Sequence, residues 1–406
     1  MAGSAMMRGS PGRRGVIALV GIAIVGLVAI VIWRGSTPPT SAVAATGAPA
    51  TNASGVPATS APTLASPTVV PATPVPTPAL VQAPLTGLPV SEAAAQQHPI
   101  AVMIDDHVDA RPQSGFNAAA QVWQAPAEGG IPRYMLIFQD TVPTGVGPVR
   151  SAREYFLEWA AEWNSLYVHA GGSTQALATL AGKGHGQWVY NGEYFRYAVT
   201  YLWRVKTRSP PHNVYSDGTH LRALAARIGA KDGPIQPAWT FAPDGAAGAR
   251  PNGGTITIVY PYETIRYRYD AATNTYQRFI KQTGGGAFKP QIDAADKVQV
   301  APKNVIILRM HFGPLYAVDP HHRLEASDIG HGEAWISTNG HTVKGTWSKA
   351  SVTAATLVFG PDGKPATLTA GQTFVQVIPL DYSFAIADGT IPAGTPSATP
   401  TQVPAP

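Results

Sequence analysis

Residues Gly35 to Ala83 carry no charged side chain and consist almost wholly of Pro, Ala, Thr, Ser, Val and Gly. Such a segment cannot bury enough apolar surface to offset the entropy lost in ordering it. Its proline spacing, as in ASPTVVPATPVPTPAL, favours polyproline-like conformations at roughly 3 Å per residue. Residues 35–83 are therefore expected to be an extended stalk. The final stretch, GTPSATPTQVPAP, repeats this composition, so residues 389–406 are expected to form a loose tail. Folding is confined to about Pro84 to Asp388.

Ahead of the stalk, Val16 to Trp33 form an 18-residue apolar run, VIALVGIAIVGLVAIVIW. A run of that length crosses a bilayer core as a helix. Arg8, Arg13 and Arg14 precede it and only Arg34 follows. The positive-inside rule then predicts a cytoplasmic N-terminus over residues 1–14, a single-pass signal-anchor over 15–34, and folded domains outside the cytoplasm. A cleaved secretory signal is the alternative, since Ala42-Val43-Ala44 fits the small-x-small pattern. That tripeptide lies well beyond the end of the run, which is also long for a signal sequence.

The folded stretch is long enough for two modest domains with a real core. There is no cysteine, which excludes disulfides, thiolate chemistry, Cys-type zinc sites and iron–sulfur clusters. A net charge of +5 is spread over a chain with only 13% charged residues, and no Lys/Arg-rich run marks a nucleic-acid surface. No nucleic-acid partner is expected.

Strand-like and helix-like patterns alternate up to Ala230. PIAVMID, AQVWQAP, YMLIFQD and SLYVHAG read as strands. Ser151 to Trp163 reads as a helix, with Phe156, Trp159, Ala160 and Trp163 on one face. TQALATLAG and HLRALAARIG read as two more. Gly and Pro then break all periodicity over residues 231–254. Beyond the break strands dominate: TITIVYP, IRYRYD, TYQRFI, NVIILRM, EAWIST, VKGTWS, ATLVFG and FVQVIP. Asn339-Gly340 and Asp362-Gly363 are turn signals. The pattern predicts an α+β protein: a mixed α/β domain over 84–230, a linker over 231–254, and a β-rich, mainly antiparallel domain over 255–388.

The ordered blocks PLTGLPV, PIAVMIDDHVDARPQSGFNAAAQVWQAPAEGGIPRYMLIFQD, VGPVRSAREYF, YVHAGGSTQAL, PHNVYSD and GHGEAWISTNGHTVKGTWSK resemble the YerB-like family of bacterial envelope lipoproteins. The resemblance covers about Pro84 to Pro379. It implies paired N- and C-terminal domains of unknown function in the cell envelope. Members are tethered through a lipidated cysteine; here the apolar run would have to supply the tether.

The most suggestive motif is Gly147-Pro148-Val149-Arg150-Ser151-Ala152-Arg153-Glu154. Ser151 and Glu154 fit a capping box opening a helix. Arg150 and Arg153, three residues apart, would flank that N-terminus and make a phosphate or carboxylate site. The plain alternative is a capped helix whose arginines pair with Glu128, Asp140 or Glu158. A second motif, Tyr167 to Thr174, runs a strand into Gly171-Gly172-Ser173, where backbone N–H groups approach a ligand or simply make a tight turn. Arg150, Ser151, Arg153, Gly171, Gly172 and Ser173 are the candidate anion-binding residues.

Candidate proton-transfer groups are His169, His212, Asp105 and Glu128. Asp105-Asp106-His107 with a further histidine or Glu128 offers metal-ligand chemistry, but the chain lacks HExxH and a helical His pair, and adjacent His321-His322 face opposite ways on a strand. No metal or cofactor is expected. Ser114, Ser151 and Ser173 lie in neither GxSxG nor SxxK. Trp123, Trp188, Trp203, Trp335 and Trp347 suit sugar stacking or, more simply, a core. The expected function is a membrane-tethered envelope protein that binds an anionic ligand such as a wall polymer or phosphorylated intermediate. An envelope hydrolase or transferase acting on such a polymer, and a scaffold for an envelope protein partner, are the alternatives.

Overall fold

The computed structural model describes residues 79–182 and 184–391. The expected cytoplasmic N-terminus, the membrane span, the stalk up to residue 78 and the tail from residue 392 lie outside the described residues. Among the described residues no helix is long and apolar enough to cross a membrane.

The protein is α+β. In chain order the elements that position the site are β1 (Ile100–Asp105), β2 (Gln121–Pro126), β3 (Pro132–Phe138), α1 (Glu154–Ala160), β4 (Leu166–His169), α2 (Thr174–Thr179), β5 (Tyr190–Glu193) and α3 (Gly218–Ile228). There follow β6 (Asn252–Val259), β7 (Glu263–Asp270), β8 (Thr275–Gln282), β9 (Lys289–Pro290), β10 (Asn304–Met310), β11 (Gly330–Thr338), β12 (His341–Lys349), β13 (Leu357–Phe359), β14 (Thr373–Pro379) and β15 (Phe384–Thr390). A ten-stranded mixed sheet has the order β13-β12-β11-β10-β14-β2-β3-β1-β4-β5, and a five-stranded antiparallel sheet the order β9-β8-β7-β6-β15.

The larger sheet draws strands from both halves of the sequence. β14 pairs in parallel with β10 on one side and with β2 on the other, setting Phe374 opposite Val122 and Val375 opposite Trp123. All seven residues of β14 are buried, as expected of a near-continuous apolar strand covered on both faces. The two-residue period assigns the faces. Met103, Trp123, Met135, Ile306 and Val375 share one core with Phe156 and Trp159 of α1. Trp123 and Trp159 stack there with centroids 5.2 Å apart. Val102, Val122, Leu136, Ile307 and Phe374 share the other with Leu221 and Leu224 of α3 and with Ile265 and Tyr267 of the smaller sheet.

Several boundaries differ from the sequence reading. Ala83 is buried and Val81–Gln82 pair with Pro89–Val90, so the fold takes in the last residues assigned to the stalk. β15 runs to Thr390, two residues into the expected tail. The Gly/Pro-rich stretch packs: Thr240–Ala242 pair with Thr367–Thr369, and the buried Trp239 donates its indole N–H to the Thr356 carbonyl at 2.9 Å. Asn339 and Gly340 have φ of 51° and 79°, the left-handed pair a tight β11–β12 hairpin requires.

The expected capping box does not form. Residues 149–152 stay extended, tied by bridges from Val149 to Ile104 and from Ala152 to Gly172. Arg153, with φ −133° and ψ 151°, occupies the position before the helix and makes no side-chain cap. Backbone pairing to β1 and to the loop after β4 holds this segment as strand, so the helix expected from Ser151 starts at Glu154.

Candidate functional site

An extended segment alternates its side chains, and this separates the two arginines expected to act together. Arg150 turns toward Asp105, its Nε 3.2 Å from Oδ2. Ser151 and Arg153 face a cleft of about 250 Å³ that Gly172, Ser173 and Glu128 also line. His321 and Arg323, from the segment between β10 and β11, complete its wall. Five of the expected residues thus gather in one place, and Arg150 is corrected out of the cleft.

The cleft is charged on both signs. Arg153 binds the Glu128 carboxylate through Nε and Nη2. Behind it, Arg133 donates Nη1 to the Ser151 carbonyl at 2.7 Å and to Ser151 Oγ at 2.5 Å. Burial, and then the Arg153 cation, push the Arg133 guanidinium down to about 10. Burial alone would raise the Glu128 carboxyl, but Arg153 and Arg133 hold it below its usual range. Arg323 lies 3.4 Å from Asp319. Three guanidiniums against two carboxylates leave a surplus positive charge. Ser151 Oγ accepts from arginines and meets no base, so it is no nucleophile. Ser173 Oγ caps α2 by accepting from the Ala176 N–H at 3.3 Å. The Gly171 N–H donates to Glu193 Oε1 at 3.0 Å, which removes Gly171 from the free donors.

The four proton-transfer candidates do not form one cluster. His169 is fully buried, with Nδ1 2.9 Å from the Gly171 carbonyl and Nε2 3.0 Å from Asn191 Oδ1. Asn191 Nδ2 donates to the Leu180 carbonyl, which fixes the amide so that its oxygen faces the ring. Both ring nitrogens are occupied, so His169 serves the fold. Glu128 belongs to the arginine cleft. Only Asp105 and His212 meet: Nδ1 lies 2.7 Å from Oδ2, with the His212 side chain 13% exposed. A carboxylate on Nδ1 fixes the tautomer and leaves Nε2 as the reactive atom.

His212 also stacks on His107, centroids 4.8 Å apart and planes 17° from parallel. With Asp109 these form the one group of metal-ligand type among the described residues. Stacked imidazoles aim their in-plane lone pairs along parallel planes, so a shared ion requires one ring to turn.

Two family models match the chain: Protein of unknown function (DUF3048) N-terminal domain over residues 85–231, and its C-terminal domain over residues 256–375. Together they cover more than half of it. The chain belongs to the YerB-like family. Within that family it is 29% identical over 305 residues to the protein of Bacillus subtilis (strain 168) named "Putative lipoprotein YerB", spanning 74% of this chain and 86% of that one. The crystal structure of the YerB protein from Bacillus subtilis matches with a TM-score of 0.65 at 27% identity, covering 75% of this chain and 99% of that chain.

The two YerB-like domains are joined by a buried polar network that the sequence reading missed. Gln124 donates Nε2 to Asp106 Oδ2 at 3.0 Å and to Glu263 Oε1 at 3.1 Å, and accepts from Arg278 Nη2 at 2.6 Å. Arg111 Nη2 reaches Asp106 at 2.8 Å and also Glu263. Asp106, Gln124, Glu263 and Arg278 are all fully buried. Burial pushes the Asp106 carboxyl well up, which Arg111 only partly offsets. A signal for this network was present. Glu263 falls in phase with Ile265, Tyr267 and Tyr269, and Arg278 with Tyr276 and Ile280, so both charges sit on the inward-facing positions of their strands.

Proposed function

We propose that the protein is an extracytoplasmic cell-envelope protein, tethered through Val16–Trp33, that holds an anionic envelope ligand in the Ser151–Arg153–Ser173 cleft. A wall polymer or a phosphorylated intermediate has the required charge. The observation that carries this reading is the convergence of Ser151, Arg153, Gly172 and Ser173 with Arg323 on one cleft that has more guanidiniums than carboxylates. An anion there would relieve the repulsion between Arg133 and Arg153 and compete with Glu128 for the Arg153 fork. The similarity to the Bacillus subtilis protein named "Putative lipoprotein YerB" supports the envelope location.

Full-length protein in detergent micelles, mixed with purified wall sacculi or anionic wall polymer, is expected to co-sediment with them. Arg153→Ala should weaken this about tenfold, a loss of one charge-assisted contact of about 1.4 kcal/mol. Lys364→Ala, on an exposed turn, should leave it unchanged. Co-sedimentation that survives Arg153→Ala undisturbed would sink the cleft as the binding site. The tether has its own measurement. Alkaline carbonate should leave the full chain in the membrane pellet and release a variant lacking residues 16–33; release of both, with an N-terminus trimmed near Ala44, would mean a cleaved signal.

The Asp105–His212 pair favours a second reading, an envelope hydrolase or transferase, in which His212 Nε2 moves the proton and Arg150 offsets developing charge. Soluble fragments released from sacculi by the wild type but not by His212→Ala would support it over simple binding.

A further inference from the structure

The five-stranded sheet buries one face and turns the other outward. Along β7, Ile265, Tyr267 and Tyr269 join the core, whereas Thr264, Arg266 and Arg268 point the opposite way. Cross-strand pairing sets a threonine beside each cation of this outer face. Thr255 lies opposite Arg268, Thr257 opposite Arg266 and, one step further on, Thr264 opposite Lys281. The three cations therefore follow one another along the strand direction at two-residue steps of roughly 7 Å.

None of the three forms an ion pair among the described residues. On β6, β7 and β8 the one carboxylate in phase with them is Asp270, at the end of the row. Its oxygens already accept from the Ala272 N–H and the Thr273 hydroxyl. Two aromatic rings hold the guanidiniums. Arg266 lies over the Phe288 ring at 4.0 Å and donates Nε to Thr257 Oγ1 at 3.2 Å; Arg268 lies over the Phe279 ring at 5.6 Å. A ring against the guanidinium plane keeps it flat and leaves its N–H edge to donate outward. Both rings are thereby covered, so the face offers donors rather than the bare stacking platforms that nucleobases use.

We infer that this face docks a linear polyanion of the polyol-phosphate type. Its successive phosphates lie along Arg268, Arg266 and Lys281, and its hydroxyls against Thr255, Thr257 and Thr264. Uncompensated cations complement a partner of opposite charge, and cations in single file flanked by hydroxyls match a charged chain rather than a bilayer. Phosphates joined by a three-carbon polyol repeat at close to the spacing of the cations. The surface shares no residue with the arginine cleft, and it rests on the envelope reading only for the source of such a polymer.

The test uses the full-length Arg153→Ala protein, whose cleft is disabled, in phosphatidylcholine nanodiscs, titrated with poly(glycerol phosphate) by calorimetry. Residual binding is expected, its affinity falling with salt at a log–log slope of roughly 2, as for three phosphate contacts on a single chain. Adding Arg266→Gln and Arg268→Gln together should weaken it at least tenfold and cut the slope by more than half. Arg268→Glu alone, a charge reversal at an exposed position, should also weaken it at least tenfold, which guards against a folding defect in the double change. Oligothymidylate and phosphatidylglycerol vesicles should bind more weakly than the polymer. No residual binding overturns the proposal, as does residual binding that these substitutions leave intact. Tighter binding of oligothymidylate or of the vesicles overturns it too, by assigning the face to a nucleic acid or a membrane. Polymer binding that Arg153→Ala leaves at full strength but the sheet substitutions remove supports this surface while the cleft reading fails.

Discussion

Replacing Arg278 by methionine is expected to destabilise the folded protein by about 3–5 kcal/mol, the range for removing one partner of a buried charge network. The guanidinium is fully buried and serves three acceptors: Gln124 Oε1, Gln291 Oε1 and the Tyr267 hydroxyl, the last at 3.0 Å from Nε. Methionine fills much of the volume but leaves Gln124 Oε1 and Gln291 Oε1 unsatisfied, while the Tyr267 hydroxyl keeps only the Gln376 Nε2 donor at 3.0 Å. It also leaves Asp106 and Glu263 to share Arg111 alone. Burial works against the Arg278 charge, and Tyr134, Tyr267, Glu263 and Asp106 more than offset it; that balance disappears with the residue. Because Gln124 belongs to the first family domain and Arg278 to the second, the loss should fall on the joint between them. Denaturant unfolding, followed by tryptophan fluorescence and circular dichroism together, measures it. The wild type should unfold in one coincident transition, since β14 hydrogen-bonds to strands of both domains. Adding Glu263→Gln to the variant should recover part of the loss by removing a charge now short of a partner. No shift of the midpoint in Arg278→Met, or two separate wild-type transitions, would refute the account.

The strands were legible because their apolar residues are local and periodic. NVIILRM is β10 residue for residue, and FVQVIP lacks only the first residue of β14. Which strands would pair was not legible. β14 joins β2 across some 250 residues of chain, and nothing in either strand names its partner. The failed capping box has the same origin. Ser151 and Glu154 satisfy the local pattern, but pairing of Val149 and Ala152 to distant segments outweighs it. That single change of backbone reverses the direction of Arg150 and puts it on Asp105. At the cleft, sequence spacing found Ser151, Arg153, Gly172 and Ser173, which lie on two neighbouring chain segments. It could not find Arg323, whose arrival depends on the fold of the second domain. Glu263 and Arg278 were legible in principle. Charges in phase with an inward apolar face must be paired or costly, and here they are paired across the domain boundary.

Asp328→Asn is expected to raise stability increasingly with pH, by on the order of 2–4 kcal/mol at pH 9, with little effect below pH 4. Asp328 is 2% exposed and precedes β11, and its Oδ2 has no partner. Burial first, and then the hydrogen-bonded Glu158 carboxyl of α1, push its pKa up to about 9, against the weaker pull of Lys349. Lys349 is already committed to Glu162, 3.0 Å away, with both side chains fully buried. A carboxyl whose pKa is higher folded than unfolded binds more protons in the folded state. Between the unfolded value near 4 and about 9, the unfolded chain therefore has fewer protons bound at this site. Stability contributed by the group falls as pH rises through that window. Asparagine donates to Glu158 at every pH and has nothing to lose, so the variant's curve should be flatter than the wild type's. Other carboxyls raised by burial, Glu162 and Asp106 among them, tilt both proteins alike, so the difference between the two curves isolates Asp328. Parallel curves from pH 4 to 9 would mean that Asp328 is ionised in the fold and that Glu158 is not its proton-sharing partner. A widening gap would identify this contact, between α1 of the first domain and the approach to β11 of the second, as the point where alkaline pH loosens the pair.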